Sequence, residues 1–85
     1  MTDEELEKAE KCVKRRWASA IRFQHLFRQG LGDKNMTNFQ TGVALGYVEA
    51  AADLIAAQHG SLIAEANVRD WIAEVEEKEK TRLIW

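Results

Sequence analysis

Residues 37–60 read TNFQTGVALGYVEAAADLIAAQHG, and the fold turns on how this stretch is built. It holds no proline, and its alanines and leucines favour a helix. Thr37 and Gln40 have the spacing of a capping box, in which cap and third helical residue satisfy each other's amides. Gly60 stands where such a helix would end in a left-handed cap. The spacing therefore predicts a helix over 38–59. Around it Phe39, Val43, Leu45, Tyr47, Val48, Leu54, Ile55 and a set of alanines occupy roughly two-thirds of the circumference. Only the strip Gly42, Gly46, Glu49, Asp53 and Ala56 is small or acidic. Two neighbouring helices can cover two sides of such a rod. The remainder calls for a further partner, and a second copy of the chain is the expected one.

The flanking segments read as helices too. Thr2 and Glu5 form another capping box, with Asp3, Glu4 and Glu5 against the positive end of the helix dipole. No breaker follows until Gly30 and Gly32, so a first helix is expected over about 3–29. Its apolar side carries Leu6, Ala9, Val13, Trp17, Ala20, Phe23, Phe27 and Leu31, with Arg16 in their midst. An unpaired buried charge is costly, so Arg16 must reach solvent or a partner. After Gly60 a third helix is expected over about 62–82, with a narrow seam of Ala64, Val68, Trp71, Ile72 and Val75. Ser61 as its cap and an extended Leu62–Ile63 are both compatible with its start. The last residues, 83–85, are a run of three apolar side chains that no single helix face accommodates. The fold class expected is all-α: one domain over residues 1–85, a three-helix unit assembled into a homo-oligomeric bundle. Gly42, Gly46, Tyr47, Leu54 and Trp85 are the candidate interface residues.

Composition narrows the function classes. With 46% hydrophobic residues in 85, the chain is too apolar for a disordered segment, and the absence of proline argues against a small β-sandwich. A single cysteine allows no internal disulfide, which fits a reducing cytoplasm. No apolar run is long enough for a membrane span, and the acidic N-terminus does not resemble a signal peptide. The net charge of −2 conceals a strong segregation. Residues 1–10 hold five acids and one base, residues 11–34 seven bases and one acid, and residues 35–85 eight acids and four bases.

The basic block forms a stripe on the first helix. Lys11, Lys14, Arg15, Arg22, His25 and Arg28 line it, and Trp17 is near enough to stack on a ring. Such residues can meet phosphate or carboxylate, arginine in a bidentate manner. Pairing with the acidic third helix is the plainer meaning of the same stripe. Glu49 and Asp53 lie one turn apart and could hold a metal or divide acid and base roles. Their spacing is one residue longer than the E-x-x-D pattern of the all-α nucleotide pyrophosphohydrolases, and an ion pair with Arg16 or with a neighbour's basic stripe is expected instead. His25, His59 and Cys12 have no companions at metal-ligand or nucleophile spacing, and no phosphate-binding glycine loop occurs. No cofactor, metal or enzymatic activity is expected.

The resulting expectation is a small non-enzymatic binding protein, with a protein partner docked on the basic face of the first helix. In style it is similar to the accessory proteins of bacteriophages and mobile elements, which include inhibitors of host defence. The alternatives are a binder of an anionic nucleotide or of nucleic acid through the same face, and a structural oligomerisation module.

Overall fold

A computed structural model describes residues 2–83. They form three helices, α1 Asp3–Arg28, α2 Lys34–His59 and α3 Ser61–Leu83, and no strand occurs among them. Met1, Ile84 and Trp85 lie outside the described residues, and with them most of the expected apolar tail and the candidate interface residue Trp85.

Local chemistry accounts for each boundary. The Thr2 hydroxyl accepts from the Glu5 amide at 3.1 Å and opens α1 as the capping box requires. At its other end the Gly30 amide donates to the Phe27 carbonyl and the Leu31 amide to the Leu26 carbonyl, at 3.0 and 2.9 Å. With Gly30 at φ 75° this is a Schellman motif. The chain then folds tightly against the helix it has just left. A Cβ on Gly32 would stand 2.8 Å from the Phe27 nitrogen and 3.1 Å from its Cα, so only glycine fits.

The start of α2 corrects the expected boundary. The helix begins at Lys34, capped by Asp33, whose side chain accepts from the Asn35 amide at 3.2 Å. Thr37 is not the cap. It lies inside the first turns, buried, and its hydroxyl donates back to the Asp33 carbonyl at 2.8 Å, a bond open to a threonine within a helix. Nothing in Lys34–Met36 breaks a helix, so the earlier cap wins. Between α2 and α3 there is one residue. Gly60, at φ 92° and ψ 159°, donates to Ala56 to close α2 and accepts from Ala64 to open α3. That backbone conformation is essentially reserved for glycine. Ser61 is accordingly the first helical residue, neither a cap nor the start of an extended segment.

Core packing divides the 43 × 25 × 21 Å molecule into two unlike halves. Towards Gly60, Val13, Ala51, Ile55, Ala64, Val68 and Trp71 form an apolar core, flanked by Leu6, Ala9, Val48 and Ile72. The α3 seam is thus buried as its spacing predicts. Towards Gly30 the contacts are largely polar: Ser19 to Gln40, Gln24 to Thr41, and Thr37 to the Phe23 carbonyl. There Ala20 of the expected apolar side of α1 is buried, but Phe27 and Leu31 are exposed, and Ile21, which is not among that side's expected residues, is buried as well.

Replacing Gly32 by alanine is expected to cost about 1–3 kcal/mol, the usual penalty for forcing atoms into occupied space. Urea unfolding of Gly32→Ala measures it. A variant as stable as the native chain would contradict the close approach of this turn to α1.

Candidate interaction surfaces

Two surfaces come into question, the basic side of α1 and the outer face of α2, and the structure treats them differently. On α1, α3 engages two of the cations. The Arg22 guanidinium makes a two-point contact with Glu79, Nε to Oε2 at 3.2 Å and Nη2 to Oε1 at 2.7 Å. Glu79 is only 5% exposed, so Arg22 is what allows a carboxylate to remain there. The contact raises the arginine's pKa further above its ordinary value. One half-helix away, the Lys14 ammonium lies between Glu10 at 2.7 Å and Glu74 at 2.6 Å. The hydrogen bonds to Glu10 and then Glu74 raise its pKa. Lys14, followed by Lys78, in turn holds Glu74 below the usual carboxylate range.

Lys14 and Arg22 therefore join α1 to α3, which was the plainer of the two meanings read from the stripe. Lys11 and Arg15 remain exposed, Arg28 is exposed on the last turn of α1, and His25 is half-buried. Trp17 is half-buried as well, and its indole Nε1 is shielded from solvent without a hydrogen-bond partner. A groove of about 420 Å³ runs beside these residues between α1 and α3, lined by Ile21, Gln24, Arg28, Glu76 and Lys80. Its charged lining is Arg28 on α1 and Glu76 and Lys80 on α3.

The seam read from the spacing ends at Val75 and omits Glu79. A signal existed. Glu79 falls four residues beyond Val75 and so continues the seam Ala64, Val68, Trp71, Val75.

The second surface is apolar. Phe39 is 62% exposed and Leu54 57%, and Met36, Leu45 and Tyr47 on the same helix are exposed as well. Between Phe39 and Leu54 the face dips where Gly42, Gly46 and Ala50 have no bulk. Val43, Gly46, Tyr47 and Ala50 line a shallow groove of about 340 Å³ there. An added Cβ at Gly42 or Gly46 would meet nothing within 4 Å. The two glycines therefore serve no close approach within the protomer.

Arg16 borders this face. Its guanidinium lies over the Tyr47 ring, 5.1 Å from the centroid, a cation–π contact. Its Nε is shielded and has no hydrogen-bond partner. The ion pair expected between Arg16 and Glu49 or Asp53 does not form within the protomer: among the described residues none of the three takes part in a salt bridge. No three side chains of the metal-ligating types gather among the described residues, and no helix there is long and apolar enough to cross a membrane.

Comparison with known proteins adds no identity. No family model matches the chain, and neither the curated proteins nor the solved structures give a significant match.

If Arg22 holds Glu79 in place, Arg22→Met should destabilise the fold by about 1–3 kcal/mol, the cost of leaving a buried carboxylate unpaired. The double variant Arg22→Met/Glu79→Leu should recover most of that loss in urea unfolding. A double variant no more stable than Arg22→Met would contradict the pairing. The same geometry makes Arg15, and not Arg22, the position at which to probe the basic face for a partner.

Proposed function

We propose that this chain is a non-enzymatic helical interaction protein that works by surface occupation, with the outer face of α2 as its principal contact. The observation that carries the reading is the exposure of Phe39, Tyr47 and Leu54 on one side of α2, beside a groove floored by small residues. Contiguous apolar surface of this kind marks interaction sites on small proteins. Aromatic and aliphatic anchors around a depression are what a protein–protein hot spot is made of. Exposed Lys11 and Arg15 on α1 leave a separate basic patch, and such charges tune partner choice and encounter rate more than affinity.

The occupant is a second copy of the chain, another protein, or both in turn. An accessory or inhibitor protein of the kind found in bacteriophages and mobile elements fits this mode of action. Binding of an anionic nucleotide has less support, because Lys14 and Arg22 already have carboxylate partners on α3.

Native mass spectrometry of the freshly purified protein tests the reading. The expected result is a complex, homomeric or with a co-purifying protein, that Phe39→Lys/Leu54→Lys reduces to the 9.7 kDa monomer with unchanged helical circular dichroism. A native chain that is monomeric and unaccompanied would overturn it, as would a complex indifferent to the two lysines.

A further inference from the structure

The outer face of α2 has two unlike edges, and they identify what covers it. With successive residues about 100° apart around a helix, Tyr47 and Gln40 fall on one side of the line Val43–Gly46–Ala50. Glu49 and Asp53 fall on the other. Along the Tyr47 edge runs α1, fixed there by Arg16 over the Tyr47 ring and by Ser19 hydrogen-bonded to Gln40. One edge is thus bordered by an arginine and the opposite edge by two carboxylates, and none of the three has an ion-pair partner among the described residues.

Resting on the reading of this face as the contact surface, we infer that it is covered by the same face of a second copy, with the two α2 helices parallel. Face-to-face packing of two copies allows two simple two-fold axes. An axis perpendicular to α2 sets like edges together, arginine beside arginine. An axis parallel to α2 sets each copy's Arg16 edge against the other's carboxylate edge. The heights also agree, since Arg16 stands at the level of Tyr47, two residues or about 3 Å along the helix from Glu49. Each Arg16 then meets the partner's Glu49, twice by symmetry. Gly42 and Gly46, which serve no contact within the protomer, lie at the crossing and let the helices approach closely.

The test exploits the symmetry. Sedimentation equilibrium of the native chain should give twice the 9.7 kDa protomer mass. Arg16→Glu and Glu49→Arg should each raise the dimer dissociation constant by about tenfold or more, because each puts like charges in contact twice. Mixing the two variants should restore a tight dimer containing one chain of each, since both contacts are then between opposite charges. Glu49 is exposed, so Glu49→Arg keeps its helical circular dichroism and serves as the folded control. A native dimer that both variants leave intact would overturn the parallel arrangement, as would variants that weaken it and fail to recover on mixing. A native chain bound only to a different protein would overturn the inference while leaving the proposed function standing.

Discussion

The organising constraint is that α2 is apolar on more sides than an 85-residue chain can cover. Any three-helix unit gives its middle helix two neighbours. Here α3 takes one flank, with Val48, Ala52 and Ala56 packed against the core, and α1 takes another. What is left is a broad strip from Met36 to Leu54, floored by Gly42, Gly46 and Ala50. A chain of this size, whose single cysteine allows no internal disulfide, has little stability to spare. Leaving such a strip in water forgoes burial that the fold would otherwise use, so a partner surface contributes to stability as well as to function.

The charges are distributed around that constraint. The +6 block of residues 11–34 invites an external anionic partner when taken alone, but two of its bases are engaged by α3. Lys14 and Arg22 tie α1 to the acidic α3, and Glu79 is buried because Arg22 reaches it. Polar joints of this kind fill the half of the bundle near Gly30, where the apolar core thins out. Arg16 is the exception among the inward-facing cations, resting on an aromatic face with no carboxylate in the protomer. Its isolation on the edge opposite Glu49 and Asp53, which have no ion-pair partner among the described residues, is the clearest asymmetry on the surface.

How much of this was legible in the sequence depended on the range of the interaction. The all-α class, the three helices and the seam Ala64–Val75 follow from breakers, caps and periodicity, all local properties. The start of α2 did not, because Thr37 and Asp33 are both good caps and the choice rests on the turn that packs Gly32 against Phe27. The exposure of Phe27 and Leu31 was hidden for a related reason: periodicity marks a face but does not say that the helix outruns its neighbours. The basic stripe was the least completely legible feature. Spacing on α1 alone shows Lys11, Lys14, Arg15, Arg22 and Arg28 with His25, and cannot reveal that Glu74 and Glu79, some sixty residues away in the chain, neutralise two of them. The apolar excess of α2, by contrast, was visible from composition and spacing and survives in the structure as exposed side chains.

The claim that the α2 face meets its own copy is most directly tested by cysteine cross-linking. In a Cys12→Ser background, Gly46→Cys and Ala50→Cys place a thiol one turn apart on the proposed crossing. Disulfides form only when Cα atoms come within about 7 Å. Parallel pairing brings each position close to its own counterpart, so both variants should give a disulfide-linked dimer under mild oxidation. Absence of cross-linking at both positions would contradict a self-associating face, and cross-linking at one alone would contradict the parallel arrangement.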